Sequence, residues 1–225
     1  MRYLFPLLVL GLMLTRLTYS ESLAEDSPGI QIDKQKKTVT IDALVAPRKL
    51  EHLKEIYPIE VIACFAHPKG EKAHETVVTI TVKPSEVHKA LESLGLKPGA
   101  PVRGGEVPCT GPDIFVFLEI PQSATTWKRI SIDKILIDPK TKKPFPKSVK
   151  FRFTGSTQKQ IDPNKPDKVY GADVTGTLIA IYPVTTDTVC QSSLTMKEEK
   201  YLKLEANADL LPKVGSKVRL VLQAK

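Results

Sequence analysis

Short runs of β-branched and aromatic residues, separated by turn residues, recur along the chain and limit what it can fold into. In KKTVTIDALV, Val39, Ile41 and Ala43 alternate with other residues, which is typical of a strand with one buried face. IEVIACFA is apolar at consecutive positions, as in a strand buried on both faces. The other strand candidates are ETVVTITV, the pair DIFVFLEI and RISIDKILI, then KFRFTGS, TGTLIAIY, KYLKLEA and KVRLVLQ. Strand patterns this frequent predict a mainly antiparallel sheet or sandwich.

One segment, KPSEVHKALESLGLKPG, has a helical pattern instead. Its Pro-Ser start suits the first turn of a helix, and Gly95 suits the residue that follows the last turn. Apolar residues share one face at helical spacing, and these are Val87, Ala90, Leu91 and Leu94. We therefore predict an α+β fold, predominantly antiparallel β, with one well-defined helix near residues 85–94, in a single domain spanning residues 30–225.

The N-terminus has the features of a secretory signal peptide. Arg2 gives it a positive charge, an apolar run follows, and Thr18 and Ser20 are small residues that suit a cut after Ser20. Arg16 ends the apolar run before the roughly 20 residues that a membrane-spanning helix needs. We therefore predict that residues 1–20 are a signal peptide.

Removal of that peptide defines the expected mature protein. It would be exported, periplasmic or extracellular, with a flexible lead-in over residues 21–29 and no transmembrane segment. The net charge of +8 would fall by two, and the lysines are spread along the chain without interleaved aromatic residues. Nucleic acid is therefore not an expected partner, because a nucleic-acid surface needs clustered cations and stacking rings. The expected partner is an unidentified ligand or an envelope component.

All four histidines of the chain lie within one short region, together with a cysteine. Zinc sites use four nitrogen, sulfur or oxygen ligands, often with a short spacing such as that between Cys64 and His67. His74, Glu75 and His88 are the other candidate ligands of a zinc or copper site. The sequence holds no second closely spaced pair, and a surface histidine is the simpler interpretation of His67, which precedes a Pro-Lys-Gly turn.

Two residues are candidate nucleophiles of a hydrolase. Cys64 could form a dyad with a histidine, but a thiol in a hydrophobic strand has a raised pKa, which opposes nucleophilicity. Ser156 lies in FTGSTQK and lacks the G-x-S-x-G sequence of a nucleophile elbow, so a turn is the simpler interpretation. The sequence contains no C-x-x-C motif and no phosphate-binding glycine loop, and no cofactor is predicted.

Several segments, in their order along the chain, resemble the YdjY-domain family of exported bacterial proteins. They are HETVVTITVKPSEVHKALESLGLKPGAPV, VKFRFTGS, VYGADVTGTLIAIYPVTTDTV and LEANADLLPKVGSKVRLVLQ. The resemblance runs from about Ile30 to the C-terminus and departs from the family pattern at Lys150 and Val169. Because the family has no established activity, the resemblance implies export and a single domain rather than a reaction. The residues that match the family pattern are His74, Glu75, His88, Gly95, Gly155, Ser156, Asp173 and Gly176.

These observations favour an exported, non-enzymatic binding or envelope-associated protein with an unidentified ligand. The predicted binding residues are His74, Glu75, His88 and Asp173. Two alternatives stay open: a zinc or copper protein that uses His74, Glu75 and His88, and a hydrolase that uses Ser156 or Cys64.

The two histidines of the predicted binding set are not expected to touch. The strand after Glu75 travels about 23 Å at the rise of a β-strand, and the start of the helix recovers only about 5 Å at the rise of an α-helix. His88 is also spaced i, i+4 from Glu92, which predicts a pair on the helix surface. We expect His88 to approach the Thr-Gly-Ser turn that contains Ser156, or Asp173.

Overall fold

Ten strands form one sheet in the computed structural model, which describes residues 28–225. The signal peptide predicted for residues 1–20 and most of the lead-in predicted for residues 21–29 lie outside the described residues. The ten strands are β1 (Ile30–Asp33), β2 (Thr38–Val45), β3 (Val61–Phe65), β4 (Thr76–Ile80), β5 (Asp113–Pro121), β6 (Trp127–Ser131), β8 (Phe151–Phe153), β11 (Thr177–Ala180), β12 (Cys190–Ser192) and β14 (Lys217–Ala224).

Two small sheets and a few short helices complete the fold. One small sheet pairs β7 (Leu136–Ile137) with β13 (Glu205–Ala206), and the other pairs β9 (Gln158–Gln160) with β10 (Lys168–Tyr170). The helices are α1 (Pro84–Ser93), α2 (Ile132–Ile135), α3 (Gly171–Thr175) and α4 (Met196–Glu199), and a 3-10 turn spans Ala73–Glu75. Within residues 28–225, no helix combines the length and apolar content needed to cross a membrane.

Eight strands of the main sheet close into a ring, because β2 pairs with β4 as well as with β14. The order around the ring is β2, β14, β5, β8, β12, β11, β3 and β4. Neighbours are antiparallel except at two places, where β11 pairs with β12 and β3 pairs with β4 in parallel. The predicted α+β class with mainly antiparallel strands is confirmed, and the sheet is closed on itself rather than flat.

The main hydrophobic core fills the inside of this ring. In β2 the predicted face of Val39, Ile41 and Ala43 is buried, and Asp42 and Leu44 on the opposite face are exposed. The strands β3 and β4 are buried on both faces, and a second apolar cluster packs beside β3. That cluster contains Val61, Cys64, Ala73 and Ala180, with Leu50 packed against it.

Two strand predictions are wrong in part. RISIDKILI is interrupted by α2, because the chain turns after Ser131 and the last two residues, β7, pair with β13 instead of with β5. In KYLKLEA, strand structure is confined to Glu205–Ala206. The predicted helix near residues 85–94 is confirmed as α1, with Gly95 following it in the left-handed region at φ 87°.

One strand of the ring has a divided edge. β5 pairs along one edge with β14, and its other edge is shared between β8, which meets Asp113 and Ile114, and β6, which meets residues 117–121. Phe115 and Val116 lie between these two pairings. The strands β6 and β8 therefore diverge at this point and leave a fork in the sheet.

Candidate functional site

His74 and Glu75 lie in the 3-10 turn that leads directly into β4. On an extended strand, neighbouring side chains would point to opposite faces. The turn instead brings His74 Nε2 to 3.3 Å from Glu75 Oε1. Glu75 is buried, and His74 is partly exposed. His74 and Glu75 therefore contact each other immediately before β4 begins.

Glu75 also belongs to an ion cluster centred on Lys72. Lys72 Nζ lies 2.6 Å from Glu75 Oε2 and 2.7 Å from Glu60 Oε2. Burial raises the pKa of Glu60, although its hydrogen bond with Lys72 opposes this. Burial alone would lower the pKa of Lys72, but hydrogen bonds with the two carboxylates outweigh it and raise that pKa. The Glu75 carboxylate is thus engaged in holding the turn against β3.

Arg48 fixes the same turn from the other side. Its Nη1 donates to the His74 carbonyl at 3.1 Å, and its Nη2 donates to the Tyr57 carbonyl at 2.5 Å. Its Nε donates to Glu205 Oε1 at 2.6 Å. The ring of Tyr57 packs edge-on against His74, with 5.3 Å between centroids. The sequence analysis missed Arg48 because its partners are up to 157 residues away.

His88 lies in a separate, mostly apolar environment on α1. Its Nδ1 is 2.7 Å from the Tyr170 hydroxyl, and its ring meets Phe153 edge-on at 4.9 Å. The predicted pairing with Glu92 is confirmed, with 3.4 Å between Nε2 and Oε1. A Cβ atom placed on Gly155 would lie 3.3 Å from His88 Cε1, so His88 does approach the Thr-Gly-Ser turn as expected.

Asp173 and Ser156 hold the short helix α3 in place. Asp173 Oδ1 accepts from the Ser85 backbone N–H at 2.8 Å, and its Oδ2 accepts from the Ser85 hydroxyl at 2.6 Å. Asp173 thereby satisfies a free N–H in the first turn of α1, as an N-cap residue would. Ser156 Oγ accepts from the Ala172 N–H at 2.9 Å. Both side chains link separate elements at one end of the ring.

The three cysteines are free thiols with buried side chains. Burial raises the pKa of Cys64 to about 12, and burial also raises the pKa of Cys109 and of Cys190. Cys64 donates to the Phe65 carbonyl at 3.1 Å. His67 is exposed and stacks on His52, with centroids 4.4 Å apart. Cys64 is therefore buried and His67 exposed, and the two residues lie in different surroundings.

The residues first predicted to bind a ligand or metal do not form one site. His74 and Glu75 contact Arg48 and Lys72. His88 contacts Tyr170, just before α3, and Asp173 within α3 contacts the start of α1. Between residues 28 and 225, no group of three or more His, Cys, Asp and Glu side chains is placed to hold a metal ion. Ligand binding at these four residues stays a prediction, and their contacts favour structural roles.

The fork between β6 and β8 contains a groove that the sequence analysis missed. Its cavity volume is about 430 Å³. Phe115 is 49% exposed on its wall and lies 6.5 Å from Phe117, centroid to centroid. Phe145 and Phe151 stack on each other at 6.1 Å. The alternation in DIFVFLEI offered a signal, because the two phenylalanines share the face opposite to the buried Ile114, and such a face needs a cover or a ligand.

Lysines surround this apolar groove. Lys134, Lys147, Lys150 and Lys225 line it, and the two carboxylates beside them belong to Asp113 and Asp133. Asp113 lies 3.2 Å from Lys150 Nζ and 3.9 Å from Lys225 Nζ, and it is also 3.6 Å from Arg152. Asp133 accepts a hydrogen bond from Ser131. Cationic side chains therefore outnumber anionic ones around the groove.

One of the comparisons with known proteins identifies a family. The family model described as the YdjY domain matches residues 30–223. No curated protein and no solved structure gives a significant match.

Replacement of Asp173 tests its role as a cap of α1. We expect Asp173→Ala to lower the free energy of unfolding by about 1 kcal/mol, because the Ser85 N–H loses its acceptor. Asp173→Asn should recover part of that loss, since an amide oxygen can still accept. Urea unfolding followed by circular dichroism measures both. An unchanged stability in Asp173→Ala would contradict the capping role and favour a ligand contact.

Replacement of Lys72 tests the ion cluster, and the stability lost on replacement should depend on pH. We expect Lys72→Met to lower the free energy of unfolding at pH 7 by about 2 kcal/mol, because Glu60 and Glu75 lose their cation. Burial raises the pKa of Glu60, so its ionisation costs stability as the pH rises through that pKa. Lys72 itself, with a raised pKa, stays charged at pH 7 and below, so its attraction to Glu60 weakens as Glu60 is protonated at lower pH.

The loss in Lys72→Met should therefore be smaller at pH 4.5 than at pH 7. Urea unfolding at the two pH values measures it, with the exposed Lys69→Met as the matched control. A loss that is equal at both pH values would show that the effect comes from the aliphatic part of Lys72.

Proposed function

The chain belongs to the YdjY domain family, and from its geometry we propose that it is an exported, non-enzymatic binding protein whose ligand occupies the groove at the fork between β6 and β8. One observation supports the non-enzymatic part above all. The side chains that could act as nucleophiles are already engaged in hydrogen bonds that hold the fold, or are buried with a raised pKa.

Ser156 lacks the surroundings of a catalytic serine. A nucleophilic hydroxyl needs a base within hydrogen-bond reach, commonly a histidine that a third group orients. Ser156 Oγ instead accepts from the Ala172 N–H and contacts the Thr157 carbonyl at 3.3 Å. Among the described residues, no histidine or carboxylate forms a hydrogen bond with that hydroxyl. His88, which approaches the same turn, faces Tyr170 and Glu92.

Cys64 is equally unsuited to attack a substrate. It lies on the covered outer side of β3 with no solvent exposure, and its pKa of about 12 leaves the thiol protonated at neutral pH. Burial is the main cause of that shift, and the nearby Glu75 carboxylate adds to it. These properties fit a small apolar residue in the core better than a nucleophile.

The groove has the properties of a ligand site. Its volume of about 430 Å³ falls within the range of roughly 300–1,000 Å³ that is usual for small-molecule pockets. Eight of the fifteen residues that line it are aromatic or aliphatic, and six are charged. It also lies at a break in strand pairing, where the backbone of β5 is not covered by a neighbouring strand. Among the described residues, those that line the groove include no histidine and no cysteine.

Export is supported by the N-terminal sequence. When residues 1–225 are produced in a bacterial host, the exported protein should begin at Glu21, as measured by N-terminal sequencing. Ser20→Phe is the matched variant, because a bulky residue before the cut should block cleavage while leaving the apolar run intact. Retention of uncleaved wild-type protein in the cytoplasm would contradict export.

Covalent probes test the absence of catalysis. We expect a fluorophosphonate to leave Ser156 unlabelled in the folded protein, and iodoacetamide to label Cys64 only after unfolding in urea, because neither side chain is an activated nucleophile. Intact-mass and peptide mass spectrometry measure the labelling. Ser123→Cys, on an exposed turn, supplies a reactive thiol as the positive control. Native labelling of Ser156 together with ester turnover that Ser156→Ala abolishes would establish a hydrolase instead.

A further inference from the structure

We propose that the groove at the fork binds a single-chain amphiphile with an anionic head group, namely a long-chain carboxylate in solution. The inference rests on the proposed binding function and names its ligand class. It depends on three observations: the shape of the fork, the apolar character of its walls, and the excess of cationic side chains at its margin.

The shape is set by the divided edge of β5. Pairing with β8 ends at Ile114, and pairing with β6 begins at Phe117. The groove follows β5 from Asp113 to Phe117, a path of roughly 13 Å at the rise of a β-strand. The segment before β8, which includes Phe145 and Val149, also lines the groove. The groove therefore follows an extended strand, as a site for an extended alkyl chain would.

The walls offer apolar surface between the charged residues. Phe115 is the most exposed aromatic ring of the groove, and Phe117 continues the same face. Arg129 covers part of the Phe117 ring, with its guanidinium carbon 5.5 Å from the centroid. An alkyl chain that covers Phe115 would remove the exposed surface of that ring from water.

The lysines that line the groove favour an anionic ligand. Asp113 is already shared by Lys150, Lys225 and Arg152, so this carboxylate cannot neutralise its cationic neighbours. Lys134 and Lys147 form no ion pair within 4.0 Å among residues 28–225, and both are exposed beside the groove. A carboxylate at the end of a bound chain would meet these lysines and complement their charge.

The same features disfavour other occupants. A neutral lipid would satisfy the aromatic walls and leave the lysines without a partner. An acidic peptide would satisfy the lysines, but its backbone would bring polar groups against Phe115 and Phe145. An anionic membrane would need the cations on one broad surface, whereas here they line a groove. A soluble single-chain carboxylate fits both the walls and the margin.

Displacement of a dansyl-undecanoate probe from the purified protein tests the proposal. Dodecanoate should displace the probe in a saturable way, and dodecanol should do so at least about tenfold more weakly, because a charge-assisted contact is lost. Acetate and inorganic phosphate should not displace it, since they lack the chain. An acidic peptide should not displace the probe, and phosphatidylglycerol vesicles should not sediment the protein.

Variants separate the two halves of the groove. Lys147→Glu should weaken dodecanoate about tenfold and leave dodecanol within about twofold, because only the head-group contact changes. Phe115→Asp should weaken both ligands, whereas Phe115→Leu should keep both within about threefold. Lys54→Glu, an exposed lysine outside the groove, is the matched charge control and should have no effect. Urea unfolding confirms that each variant is folded.

The outcomes distinguish this inference from the proposed function. If folded wild-type protein shows no saturable displacement by dodecanoate, if acetate or the peptide displaces the probe as well as dodecanoate does, or if the vesicles sediment the protein, the ligand class is wrong while the labelling results still stand. Equal losses for dodecanoate and dodecanol in Lys147→Glu would also overturn it. If p-nitrophenyl dodecanoate is turned over while dodecanoate still displaces the probe in a Lys147-dependent way, the ligand class survives and the non-enzymatic function fails.

Discussion

Closure of the sheet places a demand on every strand of the ring, because each must find a partner on both edges while burying one face. β14, for example, pairs along one edge with β2 and along the other with β5. One edge of β5 has no single partner, because β8 pairs with only two of its residues and β6 pairs with residues 117–121. Since β6 turns into α2 at Ile132, the two partners separate rather than join. The groove is the direct consequence of closing a ring with strands of unequal length.

A different problem arises at the end of the ring where α1 begins. The first N–H groups of a helix have no partner within the helix. The residue before α1 is Lys83, whose side chain has no oxygen to accept a hydrogen bond, and Asp173 provides a carboxylate from α3 instead. Ser156 in turn fixes α3 through the Ala172 N–H. The family-matching residues in this region therefore form a chain of structural contacts, and His88 packs beside it against Tyr170.

The sequence predicted the local elements well and the long-range contacts poorly, for a physical reason. Alternation within β2 and the apolar stripe of α1 are set by neighbouring residues, so both could be predicted from the pattern alone. The His88–Glu92 pair is also local, four residues apart on one helix. The contacts of Arg48 with Glu205 and of Ser85 with Asp173 join residues that only the ring brings together. The interruption of RISIDKILI was missed because its apolar pattern does not reveal that its last residues pair with β13.

The lysines show how the fold brings together charges that lie far apart in the sequence. Along the chain the lysines are scattered, and this scatter argues against an extended nucleic-acid surface. Around the groove, however, residues from α2, from the segment before β8 and from the end of the chain bring Lys134, Lys147 and Lys225 to one place. Asp113 offsets their charges only in part. Cations beside an apolar groove would favour a small anion with an apolar body, whereas the same number on a flat face would give little selectivity. The closure of the ring, more than the composition of the chain, therefore brings these cations and the apolar surface together.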